Sequence, residues 1–326
     1  MARRRKEREL DVRGHLRTRV GEKGRCAGRV ARVYPFVATG SLVAMTYSHR
    51  NMRVENNCLF LDDSDSGSVV LQHNARPGMR PYIHPLRAPN GKTCLTEDSP
   101  WHHPWQHGIT TGFHGVNGCD FWYDPGQRAE VPIGRIEPGT PMIIGDNAPS
   151  WSIEALWRHA DSTLLLVETQ TWSLERADNL LRLDLDWRMQ AIPHVRFEQQ
   201  PYGGLFLRMP HRKEQGGSVL NSNGMRGSDC EQQAAAWVDV SMPIEGSKEV
   251  GGITIYDHPD NTGHPARWRV DNQLGINPAP CIPGPIELAP GESMDYRYRL
   301  ILRTGLLNMD QIQEQFEDPA WLSSSS

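Results

Sequence analysis

Leu181, Leu183, Leu185, Trp187 and Met189 alternate with Arg182, Asp184, Asp186, Arg188 and Gln190. A period of two places one face of a strand in a core and the other in water. Residues 162–172 read as the antiparallel partner, with a turn over 175–179. Near the C-terminus Met294, Tyr296, Tyr298, Leu300 and Leu302 alternate with Asp295, Arg297, Arg299, Ile301 and Arg303, and Pro290-Gly291 opens that strand. Shorter strands are predicted at 68–72, 204–208, 234–240 and 252–256, whereas only 310–316 carries a helical pattern. Short strands separated by Gly/Pro/Asn/Asp clusters predict an all-β fold, a large antiparallel sandwich with very little helix.

No repeat and no linker-like shift in composition divides the middle of the chain. One domain over 23–318 is therefore expected, after a basic flexible tail at 1–22 and before a disordered tail at 319–326. The 326 residues carry 35 Lys+Arg against 39 Asp+Glu, a formal charge of -4, which argues against a dedicated nucleic-acid binder. The basic N-terminal run lacks a following apolar segment, so it does not read as a secretory signal. The longest mostly apolar stretch, 36–47, is too short to cross a bilayer. Six scattered cysteines without paired spacing read as reduced thiols, and a cytoplasmic location is expected.

Ten tryptophans and thirteen histidines are the unusual counts. Four histidines (His102, His103, His107, His114) fall within the fourteen residues 101–114, interleaved with Trp101 and Trp105 and followed by Trp122. A buried imidazole needs both nitrogens satisfied, so core packing accounts poorly for such a cluster. The glycines at 108, 112, 115 and 118 argue against a helix; in a strand His103 and His107 would share a face. Three readings compete. His103 and His107 can be a general acid and base, since imidazole titrates near neutrality. Alternatively His103, His107 and either His84 or His114 hold a divalent metal. In the third reading the histidines only satisfy loop backbone. Downstream, Arg208 stands in an apolar strand, where a cation must be paired or face a polar cavity. His258, after Asp257, either closes a turn or faces the same cavity.

The blocks RPYIHPLRAPNG, HPWQHGITTGFHGVNGCDFW, GGLFLRMP, AAWVDVS, GGITIYDHPDN and ELAPGESMDYRYRLILRTG run in order over 80–305. With them the chain resembles the bacterial PmoA-like family. His103 keeps its place in that family's pattern, whereas His107 stands where an arginine is common and Tyr202 where a glutamate is often found. The closing strand also resembles those of galactose-mutarotase-type supersandwiches. The resemblance implies a role in carbohydrate catabolism, with histidines over a sheet handling the protons of a sugar.

The reading is a carbohydrate-active enzyme using histidine acid/base chemistry on a sugar or oxidised sugar: an epimerase or mutarotase, or a lyase or hydrolase of glycosidic bonds. His103, His107 and His258 are the expected catalytic residues. Arg80, His84, Trp105, Asn117, Asp120, Trp122 and Arg208 are the expected substrate contacts. The expected partner is a small or oligomeric carbohydrate, with neither nucleic acid nor membrane. No cofactor is assigned. The alternatives are a metal-dependent oxidoreductase or hydrolase, which would add a divalent ion, and a non-catalytic carbohydrate-binding protein.

Overall fold

Alternating apolar residues on the strands produce two large sheets that share one core. The structure, a computed structural model, describes residues 47–323 apart from 128–129, 146–147, 178 and 245–248. The basic tail, Cys26 and most of the 36–47 stretch lie outside the described residues. In chain order the strands are β1 (Met52–Glu55), β2 (Cys58–Asp62), β3 (Val69–Asn74), β4 (Tyr82–Leu86), β5 (Ile109–Gly112), β6 (Arg135–Pro138), β7 (Met142–Ile144), β8 (Ser150–Arg158), β9 (Leu164–Ala177) and β10 (Leu180–Ala191). Then follow β11 (Val195–Phe197), β12 (Gly204–Leu207), β13 (Ser218–Asn221), β14 (Trp237–Pro243), β15 (Val250–Asp257), β16 (Trp268–Val270), β17 (Ile276–Pro278), β18 (Ile286–Leu288) and β19 (Ser293–Thr304). The helices α1 (Met309–Phe316) and α2 (Pro319–Leu322) close the order.

One sheet runs β1-β2-β3-β4-β5-β12-β17-β16. The other runs β13-β14-β15-β19-β10-β9-β8-β6, with β7 also on β8, and β11 and β18 form a separate pair. The sheets are antiparallel throughout, so the fold is an all-β sandwich. Leu59, Leu71, Ile83, Ile109, Leu205 and Leu207 from the first sheet join Leu183, Leu185, Trp187, Ile255, Leu300 and Leu302 from the second in one buried cluster. The alternation read from the sequence in β10 and β19 is the inward face of that core, and the two strands pair over their length.

A carboxylate lies between the two sheets. Glu168 of β9 is fully buried. It accepts hydrogen bonds from Thr111 Oγ1 (2.7 Å), Gln170 Nε2 (2.8 Å) and the indole N–H groups of Trp157 and Trp187 (2.7 Å each). Four donors on two oxygens replace the water that burial removes. Thr111 stands on the first sheet and the other donors on the second, so the carboxylate ties the layers together.

Several expectations are corrected. Strand β9 continues to Ala177, so its turn into β10 is shorter than 175–179. His103 and His107 stand in a loop ahead of β5 rather than in a strand. Within the stretch expected to be a disordered tail, Pro319–Leu322 is a helical turn capped by Asp318, and Trp321 is buried against Trp237, Tyr256, Ile301 and Ile312. The described cysteines are all free. Among the described residues no helix is long and apolar enough to cross a membrane.

Candidate active site

The histidine-rich loop folds back on itself as a short ladder. Asp98 and His107 are opposed as an antiparallel bridge, flanked by Ser99 N–H to Gln106 O (2.9 Å) and Gly108 N–H to Glu97 O (2.8 Å). Directly opposed residues present their side chains to the same side. His107 Nδ1 accordingly lies 2.5 Å from Asp98 Oδ1.

The other imidazole nitrogen is taken as well. His107 Nε2 lies 2.7 Å from Asp124 Oδ2. Asp124 is delivered by a turn that Asp120 organises: Asp120 Oδ1 accepts from the N–H groups of Trp122 (2.5 Å) and Tyr123 (3.1 Å), and its Oδ2 meets His114 Nδ1 at 2.6 Å. A carboxylate on each nitrogen requires two N–H donors, which only the protonated ring has. Burial alone would lower the His107 pKa, but the bonds to Asp124 and Asp98 outweigh it and raise it above the ordinary imidazole value. Burial likewise raises the Asp98 carboxyl, and the His107 bond and charge, with His84 and Tyr82, bring it below its ordinary value. The unit is an imidazolium between carboxylates.

The two carboxylates open onto different cavities. Asp98, 29% exposed, lines a cavity of about 890 Å³ together with His84, Arg87, Thr96, Glu97 and Arg212. Asp124 lines a second one of about 320 Å³ with Arg80, Phe121, Tyr123 and Ile136. His107 itself, 3% exposed, lines neither and separates them. In the larger cavity His84 Nδ1 is 3.0 Å from Thr96 Oγ1, and its Nε2 has no partner among the described residues. Burial, followed by the positive charge of His107 and despite Asp98, lowers the His84 pKa, so the ring is neutral at pH 7. Arg212 reaches Glu97 Oε1 at 2.7 Å.

The structure therefore gathers only some of the residues expected from the sequence. His84 lines the large cavity, whereas His107 acts on it through Asp98. His103 stays on the loop tip, with Nδ1 2.7 Å from His102 Nδ1 and its ring against Trp105; burial and the Arg208 charge lower its pKa. His258 is elsewhere. It is buried edge-on against Trp321, donating from Nε2 to Trp321 O (3.2 Å) and accepting at Nδ1 from Asp260 N–H (3.1 Å). The expected trio of catalytic histidines does not converge, because main chain occupies both His258 nitrogens and carboxylates occupy both of His107.

Most of the expected substrate contacts are engaged with partners inside the protein. Arg208 is fully buried and bonded to Gln106 (2.8 Å), Gln273 O (2.9 Å) and Asp271 (2.6 Å), the ion pair that an arginine in an apolar strand requires. Asn117 pins its loop to Arg196 N–H (2.7 Å) and His194 O (3.0 Å). Asp120 spends both oxygens on its own turn and His114. Trp122 is buried between Tyr202 and Phe206. Trp105 is half-buried against Tyr123. Arg80 is buried, donates to the carbonyls of Trp105 and Phe121, and stands 3.8 Å from Asp124 at the smaller cavity. The metal set is not assembled either: among the described residues no group of three or more His, Cys, Asp or Glu is placed to hold an ion.

Asp98, Asp124, Thr96, Glu97, Arg87 and Arg212 escaped the sequence reading. One signal was available: Thr96-Glu97-Asp98 stands one short loop ahead of the histidines, the spacing of a hairpin that returns a carboxylate to an imidazole.

The chain belongs to a family of unknown function (DUF6807), whose model matches residues 64–317. That finding corrects the resemblance to the PmoA-like family. No curated protein matches the chain. Among solved structures it is similar to the galactosidase domain of the alpha-galactosidase–sucrose kinase AgaSK, with 10% identity, a TM-score of 0.37, and coverage of 78% of this chain and 41% of that one. It is also similar to the GH36 alpha-galactosidase AgaA from Geobacillus stearothermophilus, with 10% identity, a TM-score of 0.37 and coverage of 78% and 40%. The alpha-galactosidase from Lactobacillus brevis matches with 11% identity, a TM-score of 0.32 and coverage of 75% and 39%. The chain thus spans about two fifths of these structures.

Proposed function

We propose that the large cavity binds a hydroxyl-rich, carbohydrate-type molecule and moves a proton on it, with His84 as the base and Asp98 as the fixed negative charge beside it. One observation carries this reading: Asp98, on the cavity wall, is held ionised by a His107 whose far nitrogen is held by Asp124. In the tautomer that donates Nδ1–H to Thr96 Oγ1, His84 presents the Nε2 lone pair to the cavity. The neighbouring Asp98 then stabilises the imidazolium as it forms, so a hydroxyl or hemiacetal proton can be taken and returned.

This favours isomerisation, of the mutarotase or epimerase kind, over hydrolysis by a carboxyl pair. Hydrolysis of that kind needs one carboxyl kept protonated near neutrality, and Asp98 is held below its ordinary value. The free thiols suit a reducing compartment such as the cytoplasm. Incubation with a panel of sugars and 3-keto-glycosides, followed by NMR, tests the proposal: anomeric exchange or epimerisation is expected in the wild type and its loss in His84→Gln and Asp98→Asn. Unchanged turnover in both variants rejects it.

A second reading rests on Trp101, which is 91% exposed at the loop tip. Such an indole can stack on a sugar ring without any chemistry. Sugar binding abolished by Trp101→Ala, with no turnover by the wild type, supports a binding protein instead.

A further inference from the structure

The carboxylates of the large cavity find partners without drawing on two of its cations. Each carboxylate on its wall is engaged: Glu97 by Arg212 at 2.7 Å, Asp98 by His107 at 2.5 Å, and Glu249 by Asn90 Nδ2 at 3.1 Å. Two cations line the same wall, Arg87 and Lys92, and neither forms an ion pair among the described residues. Arg87 is not a freely solvated side chain. Its Nε donates to Val69 O and its Nη1 to Lys92 O, both at 2.9 Å. Main-chain carbonyls thus hold the guanidinium without neutralising it, and Nη2 has no partner among the described residues.

The local chain explains why. Arg87 and Cys94 are bridged across a tight turn. Asn90 accepts there from the N–H groups of Lys92 (3.0 Å) and Thr93 (3.1 Å), and Gly91 takes φ +68°. The turn brings both residues to the cavity wall, and the Arg87 charge is felt at His84. A guanidinium already fixed in orientation loses little freedom on binding and presents a fork suited to a planar carboxylate.

We propose that Arg87 and Lys92 form an anion subsite, and that the molecule taken by this cavity carries a carboxylate besides its hydroxyls, as a sugar acid does. This rests on the proton-transfer reading of the same cavity and adds the charge of the substrate. The carboxylate would sit on Arg87 and Lys92, with the hydroxyl-bearing carbon skeleton reaching toward His84 and Asp98.

Cys94 lines this cavity and is the one described cysteine that is not buried, so it reports the local charge without any ligand. The full chain is alkylated with anionic iodoacetate and with neutral iodoacetamide, and the Cys94 rate is read by peptide mass spectrometry. The iodoacetate-to-iodoacetamide rate ratio is expected to be several-fold above that of N-acetylcysteine and to fall to it in the Arg87→Gln/Lys92→Gln variant. A wild-type ratio equal to that of N-acetylcysteine overturns the proposal. Protection of Cys94 is then compared for D-glucuronate, D-glucose and inorganic phosphate. Glucuronate should protect at concentrations at least ten-fold below glucose, and the double variant should erase that preference. Equal protection by glucose overturns the carboxylate subsite while leaving proton transfer at His84 and Asp98 standing. Protection by phosphate but not by glucuronate assigns the cations to a phosphate and overturns it also.

Discussion

Asp98 and Asp124 grip opposite nitrogens of one imidazole, 2.5 Å from Nδ1 and 2.7 Å from Nε2 of His107. The pair is what keeps a nearly inaccessible ring charged. Replacing His107 with Gln leaves two carboxylates facing a neutral amide. The loss of one partner in a buried charge cluster costs about 3–5 kcal/mol, so His107→Gln is expected to lower the urea midpoint markedly.

The pH dependence of that loss has a definite sign. His107 is raised above its unfolded value, so its contribution is complete below about pH 6.5 and fades as pH rises through the folded value. Asp98 is lowered, so its contribution is complete above about pH 4 and fades as pH falls through its folded value. The stability difference between wild type and His107→Gln should therefore be largest between about pH 4 and 6.5, and shrink on both sides. Urea titrations across the pH range check this. A difference that grows steadily toward alkaline pH contradicts a charged His107.

Turnover should respond to His84 and Asp98 differently from Arg208. Removing a general base costs about 10²–10⁴-fold in rate, so His84→Gln is expected to lose activity while keeping its melting curve. Arg208→Gln strands Asp271 and Gln106 in the interior and should destabilise the protein by about 3 kcal/mol or more. Its residual activity should follow the folded fraction, since Arg208 lines neither of the two cavities described. The room there is filled: a Cβ at Gly275 would stand 2.5 Å from Arg208 Nη2, so Gly275→Ala should destabilise too. Parallel activity and melting measurements on the three variants separate the two roles.

Glu168 makes a sharper test of the core. An amide at that position keeps one acceptor oxygen and turns an NH2 group toward donors that need acceptors. With Trp157 and Trp187 both donating to the carboxylate, Glu168→Gln leaves at least one buried N–H unsatisfied, at about 1–3 kcal/mol for each such group. A lowered urea midpoint and a shifted tryptophan emission maximum are expected. An unchanged midpoint would mean that the four hydrogen bonds do not matter to stability.

The sandwich was legible because its signal is periodic. Leu181 to Gln190 and Met294 to Arg303 repeat every second residue, and each inward side chain in them does the same thing. The site was not legible because its chemistry is pairwise and non-local. Nothing in the imidazole of His107 says that it lies between Asp98 and Asp124, and nothing in His258 says that the carbonyl of Trp321 waits for it. Clustering in the sequence pointed to the loop that carries His107, but the two residues proposed to act on the substrate, His84 and Asp98, both precede it. Arg208 was narrowed to a buried pair or a polar cavity, and Asp271 decided between them.

The C-terminal end escaped for a related reason, and it yields the last test. Pro319–Leu322 spans a single turn in which only Trp321 is buried, too little for a helical period to show. Yet Trp321 is 5% exposed, packs edge-on to Tyr256, His258 and Phe316, and lies under the Arg299 guanidinium at 5.1 Å. Asp318, which caps the turn, also binds Arg299 at 2.7 Å, so the cap and the cation fix the indole from two sides. Removing a buried tryptophan side chain costs about 3–5 kcal/mol. Trp321→Ala, or a stop after Glu317, should therefore lower the melting temperature by several degrees and open the backbone amides of β15 and β19 to hydrogen exchange. If residues 318–326 are instead dispensable, the truncated chain will melt with the full one, and neither the Asp318–Arg299 pair nor the packing of α2 against the second sheet contributes to stability.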